Sequence, residues 1–234
     1  MTVAASPVSR PSSSAPPEPD VVRRRGRPAS NAAHAVPEQR VLDAAFSAFA
    51  ALGYEGTTVR ELAKQLGVSH NLLNVRFGSK ADLWRRAVDA RVARFGSPVF
   101  AAFDEQALDD EARLRLVVER FCGWTAENPD FVGIAYAEGR RATWRLDYLV
   151  ESYIRPFKQQ LDALFESVAA SHPMRRISST AFMVMLVQGA GFYFAARPML
   201  EKIGEEWERD PGQTQRQVRE LADFLLAGLL GGNG

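Results

Sequence analysis

The chain has 234 residues, 24% of them charged and 46% hydrophobic, with a formal net charge of +1. That is ordinary globular composition, and it excludes a collagen-like repeat, a wholly unstructured chain and a disulfide scaffold. The single cysteine, Cys122, has no partner for an internal disulfide, which fits a reducing cytoplasm. His34, His70 and His172 are too scattered for structural zinc, so neither a metal nor a cofactor is expected.

The small net charge conceals a division along the chain. Residues 1–95 carry 14 Lys+Arg against 8 Asp+Glu, a balance of +6, whereas the remaining 139 carry 15 against 20, a balance of −5. A basic front half on an acidic back half points to an N-terminal polyanion-binding module joined to a region with another task. Residues 1–36 mix Pro, Ser and Ala with few large apolar side chains, and seven of the 13 prolines fall within residues 1–37. Such a segment buries too little surface to offset its ordering entropy and is expected to be a disordered arm. It lacks the continuous apolar stretch of a secretory signal. Within it, Arg23-Arg-Arg-Gly-Arg-Pro28 has two readings. Arg25 and Arg27 either flank a glycine that lets the backbone enter a narrow DNA minor groove, as in an AT-hook, or form a basic patch that adds non-specific phosphate affinity.

The first predicted helix, 38–52, places Leu42, Ala45, Phe46, Phe49 and Leu52 on one face, with Gly53 as its stop. The next two helices, 59–66 and 70–77, carry the clearest signal. Thr58 is placed to cap the first, whose inward face is Val59, Leu62, Ala63 and Leu66. Gly67 supplies the sharp turn, Val68 an inward plug and Ser69 the second cap, and Leu73 and Phe77 direct the second helix back onto the first. The spacing Ala-x3-Gly-Val-Ser-x3-Leu, combined with local positive charge, is that of a helix-turn-helix whose second helix enters the DNA major groove.

At this point the sequence resembles the TetR/AcrR family of bacterial transcriptional regulators. The resemblance rests on Val41-Leu-Asp-Ala-Ala-Phe46, Phe49, Gly53-Tyr54, Thr57-Thr58-Val-Arg-Glu-Leu-Ala63, Gly67-Val68-Ser69 and Phe77-Gly-Ser-Lys-Ala-Asp-Leu83. It departs from the family at Asn74-Val75-Arg76-Phe77, where Tyr-Tyr-His-Phe is common, and at Leu72, where Thr is frequent, so operator preferences do not carry over. With Leu73 and Phe77 buried, His70, Asn71 and Asn74 are the expected base readers, because Asn pairs with adenine in the major groove. Leu72 is expected near a thymine methyl, and Arg76 near either a guanine or a phosphate. Thr58, Arg60, Ser69 and Lys80, at or beside helix N-termini, are expected along the DNA backbone.

Beyond the connecting helix 80–95, prolines punctuate helical patterns at 109–126, 129–138, 144–170 with a kink at Pro156, 175–196 and 213–230. No alternating strand pattern intervenes. The expected architecture is all-α, about nine helices: the arm, a three-helix DNA-binding domain at 37–84, and a larger helical domain at 85–234. Residues 177–196 hold no charge, yet their Ser, Thr, Gln and Gly content favours a buried helix over a membrane span.

For the back half the resemblance implies an effector cavity and a dimer. Trp124, Phe131, Tyr136, Arg140, Trp144, Tyr148, Phe182, Met185, Phe192 and Tyr193 are the candidate lining of a pocket for a small apolar effector. Helices 175–196 and 213–230, rich in small and apolar residues, would pair in a homodimer on an inverted-repeat operator in double-stranded DNA. No phosphate loop, nucleophile elbow or metal-binding motif suggests an enzyme. The expectation is a ligand-responsive repressor, with an activator or an architectural dimer lacking an effector as the alternative.

Overall fold

The computed structural model describes residues 36–204 and 211–231. Arg25 and Arg27, with the basic arm, lie outside the described residues. Among the described residues there are helices and no strand, so the fold is all-α.

Helix α1, Glu38–Gly56, buries Val41, Leu42, Ala45, Phe46 and Phe49. Gly53 interrupts it at φ 71°, a left-handed value that glycine adopts at little cost. Leu52, expected on the inward face, is instead 61% exposed. The place beside Phe49 is taken by Tyr54, whose ring stacks on it at 5.9 Å once the chain has turned at Gly53. The buried Thr57 hydroxyl reaches the carbonyls of Gly53 at 2.8 Å and Ala48 at 3.1 Å, which pins the turn.

Helices α2, Val59–Leu66, and α3, His70–Phe77, have the predicted bounds and caps. Thr58 accepts from the Glu61 amide and Ser69 from the Leu72 amide. Between them Gly67 sits at φ 68°, while its amide reaches the carbonyl of Lys64 and the Val68 amide that of Ala63, the bonding of a Schellman turn. Helix α4, Lys80–Phe95, opens with a capping box in which Ser79 and Asp82 satisfy one another's backbone amides.

Helix α5, Ser97–Ala101, and a 3-10 turn, Ala102–Asp104, follow. Then come α6, Asp110–Glu127, and α7, Pro129–Glu138. The predicted helix 144–170 is α8, Trp144–Leu149, continued through a π-helical turn, Val150–Ile154, into α9, Arg155–Ser171. Pro156 has no amide to bond the preceding turn, and the ladder widens just before it rather than breaking. The predicted helix 175–196 starts later. Ser178 caps α10, Ser179–Met185, which passes through a second π-helical turn, Leu186–Gly191, into α11, Phe192–Ala195. Residues 175–177 stay outside the helix because Arg175 is engaged elsewhere. Its amide bonds Leu229 O at 2.9 Å and its Nε bonds Gly231 O at 3.1 Å, closing the carbonyl end of the last helix. Helices α12, Arg197–Lys202, and α13, Pro211–Leu230, complete the described chain. The short segments at 97–104 and 197–202 are too brief to show a helical period in the sequence.

Two apolar cores organise these elements. The first joins α1–α4, with Trp84, Phe46 and Leu73 almost fully buried, and it also takes in Ile134 of α7 and Leu149 of α8. The second packs Val117 and Cys122 of α6, Leu161 and Val168 of α9, Phe182 and Leu186 of the α10 run, and Ala222 and Leu226 of α13. Since α4 and α7 border both regions, the helix-turn-helix unit is packed onto the larger helical body rather than tethered to it. Among the described residues no helix is long and apolar enough to cross a membrane; the uncharged run 177–196 lies partly in the second core.

Candidate DNA-binding face and interior cavity

At 100° per residue, Leu73 and Phe77 set the buried direction of α3, and Asn71 and Val75 fall opposite. His70, Asn71, Asn74 and Val75 are all exposed; Val75 is 76% exposed, an unusual position for an aliphatic side chain. His70 Nδ1 and Asn74 Nδ2 lie 3.4 Å apart along the same flank. Leu72 is half-buried. Arg76 falls on the other flank, where its guanidinium donates to Val36 O at 2.9 Å and lies 5.2 Å from the Phe77 ring centroid. Arg86 closes the carbonyl end of α3 through Arg76 O at 2.8 Å and pairs with Glu38 at 2.7 Å. Thus the structure brings His70, Asn71 and Asn74 together on one open face and turns Arg76 towards the chain entering α1. Val75 escaped the sequence reading, although its place opposite Leu73 and Phe77 follows from helical geometry alone.

Beside this face, Thr58 and Arg60 are exposed at the start of α2, and the Thr58 hydroxyl donates to Glu61 at 2.7 Å. Ser69 is exposed at the start of α3. Lys80 Nζ lies 4.3 Å from the Tyr54 ring centroid. The Ser79 hydroxyl and amide, with the Arg85 guanidinium, hold the Asp82 carboxyl below the usual carboxylate range.

Tyr54 is also the joint to the larger region. Arg145 stands 4.3 Å from its ring centroid and Trp144 meets it edge-on at 5.5 Å. Arg145 is 6% exposed, and its Nε donates to the buried Glu138 at 2.7 Å; the second Glu138 oxygen accepts from Thr143 at 3.0 Å. The exposed Glu55 adds a weaker contact to Arg145 at 3.5 Å. A buried guanidinium and carboxylate therefore join the end of α7 to the turn that precedes α2. Nearby, Trp144 and Tyr148 pack edge-on against Trp84.

Between α4, α5, α6, α7, the first π turn and the α10 run lies a cavity of about 260 Å3. Its walls include Val92 and Gly96, Phe100, Phe121 and Trp124, Phe131 and Val132, Tyr153 and Phe157, and Met183, Val187 and Gln188. Both π-helical turns contribute, through Tyr153 and Ile154 and through Val187 and Gln188. Such turns recur at functional sites because the widened ladder redirects side chains. The Tyr153 hydroxyl donates to Asp89 of α4 at 2.5 Å, and Tyr148 donates to the same oxygen at 2.7 Å. Burial and the Asp89 carboxylate push the Tyr153 phenol far above its usual range and raise that of Tyr148, so both hydroxyls stay donors at ordinary pH. Trp124 Nε1 is buried without a hydrogen-bond acceptor among the described residues, which costs about 1–3 kcal/mol.

Of the sequence candidates for this pocket, Trp124 and Phe131 line it. The others stand away from it. Phe182 is core, packed on Phe165 at 5.1 Å, and Trp144 and Tyr148 belong to the joint. Tyr136 and Phe192 face one another at 6.2 Å on the exterior, with Arg140 over Tyr136 at 5.6 Å. Met185 is exposed, and Tyr193 packs on Phe194 at 5.2 Å. Aromatic content identifies residues that bury area, but not which of them border empty space.

Residues 41–87, the helix-turn-helix unit, match the family model described as bacterial regulatory proteins, tetR family. No curated protein matches the chain. Among solved structures it is similar to the transcriptional regulator FadR from Bacillus subtilis in complex with stearoyl-CoA, at 16% identity and a TM-score of 0.59, over 80% of this chain and 97% of that one. It is similar to the ketosteroid transcriptional regulator KstR2 of Mycobacterium tuberculosis, at 16% identity and a TM-score of 0.60, over 81% and 93%. A TetR/AcrR-family transcriptional regulator from Thermobifida fusca matches at 15% identity and a TM-score of 0.56, over 81% and 96%. At these identities the likeness is one of fold.

Proposed function

We propose that this tetR-family protein is a cytoplasmic homodimeric repressor that binds an inverted-repeat operator and is released from it by a small, largely apolar effector. The observation that carries the reading is the cavity. It is walled by apolar side chains and reaches α4, the helix that is itself part of the DNA-binding core. An architectural dimer without an effector calls for a densely packed interior, which a cavity of about 260 Å3 does not match. In this reading His70, Asn71 and Asn74 meet base edges, Val75 rather than Leu72 touches a thymine methyl, and Thr58, Arg60, Ser69 and Lys80 meet phosphates. Arg76 instead anchors the entry to α1.

The dimer is supported by apolar surface on the predicted helices: Val184, Met185 and Phe192 on the α10–α11 run and Phe224 on α13 are exposed in the single chain. Effector binding would shift the balance between two dimer arrangements only if the effector prefers one of them. A material link for that preference is Tyr153, which borders the cavity and bonds Asp89 of α4. Footprinting on the promoter region beside the gene tests the reading: a protected inverted repeat is expected, with Asn74→Ala losing sequence preference while retaining salt-sensitive binding. Protection without any inverted repeat would overturn it.

A further inference from the structure

We infer, resting on the reading of α3 as the major-groove helix, that the arginine arm ahead of α1 is a second DNA-reading element. Arg25 and Arg27 enter the minor groove adjoining each half-site and select A·T pairs there. Residues 23–27 lie outside the described residues, but the point at which the arm joins α1 is described, and it lies against α3. Arg76 of α3 donates to Val36 O at 2.9 Å. Val36 packs on the apolar core of the helix-turn-helix unit, and Pro37 is extended at φ −55° and ψ 142°. Glu38, the first residue of α1, is tied to Arg86 at 2.7 Å, and Arg86 in turn holds Arg76 O at 2.8 Å. Two guanidiniums therefore fix the point of entry beside the carboxyl end of α3. Arg76 is the only Lys or Arg on that helix, and it is spent on this contact.

Nine peptide units separate Arg27 from Val36, a reach of at most about 30 Å when extended. The neighbouring minor groove lies half a helical turn from the major groove, roughly 17 Å along the duplex, so the arm reaches it without unseating α3. Residues 28–35, Pro-Ala-Ser-Asn-Ala-Ala-His-Ala, carry neither a carboxylate that DNA would repel nor a large aliphatic side chain that would bury on the protein. Arg23, Arg24, Arg25 and Arg27 then gather four guanidiniums around Gly26. In the minor groove A·T and T·A pairs present only acceptors, which suit arginine, a donor only, whereas a G·C pair adds the guanine N2 amino group, another donor. Runs of A·T also narrow that groove and strengthen its negative potential. At about 6 Å across, the groove admits a backbone at a glycine, while a side chain there would meet its walls. A patch that met only phosphates would need neither the glycine nor a base composition.

A random-sequence duplex library selected with the full-length protein supplies the probe. The base pairs adjoining each selected half-site are then made all A·T, all G·C or all I·C, inosine keeping the major-groove edge of guanine without its minor-groove amino group. Affinities are compared by fluorescence anisotropy at one salt concentration. The full-length protein is expected to bind the A·T and I·C duplexes within about twofold of one another and the G·C duplex at least about fivefold more weakly. Gly26→Leu, which keeps every arginine, is expected to bring all three within about twofold. Equal affinity for the three duplexes, I·C behaving like G·C, or a fivefold G·C deficit that survives Gly26→Leu overturns minor-groove reading by the arm and leaves the assignment of α3 standing. Selection that yields no shared sequence overturns the assignment of α3 and that of the arm with it.

Discussion

Arg145→Met isolates the contribution of the buried pair that joins the larger helical region to the helix-turn-helix unit. Arg145 and Glu138 are 6% and 7% exposed, and their atoms meet at 2.7 Å. Removing the guanidinium leaves a buried carboxylate with one hydroxyl donor, Thr143, where it had a full cation. Breaking one side of a buried pair costs about 3–5 kcal/mol. Since Thr143 still serves Glu138, about 3 kcal/mol of lost unfolding free energy is the expected value. The reverse deletion is milder. Glu138→Gln leaves Arg145 against the Tyr54 ring and near Glu55, whose side chain is 79% exposed and compensates weakly, so about 1–2 kcal/mol is expected. The double variant should cost less than the sum of the two by about 1–3 kcal/mol. Arg145→Lys should fall between, because a point ammonium cannot lie flat on Tyr54 while bonding Glu138. Urea denaturation at fixed protein concentration measures all four. A deficit below about 1 kcal/mol would refute the idea that this joint is held by a desolvated pair.

The acid limb of stability should reflect the Asp82 capping box. Its carboxyl lies below the ordinary range in the folded chain, so its contribution is present above that range and is lost as pH falls through the lowered value; Asp82→Asn should flatten that limb in a pH series of thermal melts. Phe224→Glu places a charge on a side chain that is 76% exposed in the single chain. Sedimentation should show a monomer with unchanged helicity, whereas an unaltered dimer would remove α13 from the interface. Cys122 is fully buried, and desolvation pushes its thiol up to about 12. It should resist iodoacetamide at pH 8 until urea unfolds the chain, and fast labelling of the native protein would show that the second core opens locally.

The elements that could be read in advance are those whose signals are local. Thr58, Gly67, Ser69 and Ser79 stand at caps and turns; α2 and α3 begin after Thr58 and Ser69, α2 ends at Gly67, and α4 begins after Ser79. The open face of α3 follows from two buried positions and a period of 3.6 residues, and Val75 was legible in the same way. Pro156 marked an irregularity, though the backbone resolved it as a π turn ahead of the proline. Hydrophobicity also gave the all-helical class, since period and proline spacing act within a few turns of chain.

What sequence periodicity does not carry is the identity of a residue's neighbours across helices. Trp144, Tyr148 and Phe182 have the composition of pocket residues, yet they fill the joint and the core. Tyr153, Met183 and Val187, no more distinctive in the sequence, border the cavity. Likewise nothing local tells that Arg76 turns to Val36, 40 positions away, or that Tyr153 reaches Asp89 across 64 positions. The DNA-binding face is a property of one short helix and its caps, so the chain's own order specifies it. The cavity is the space left where separate helices fail to close, and only their packing together decides which side chains surround it.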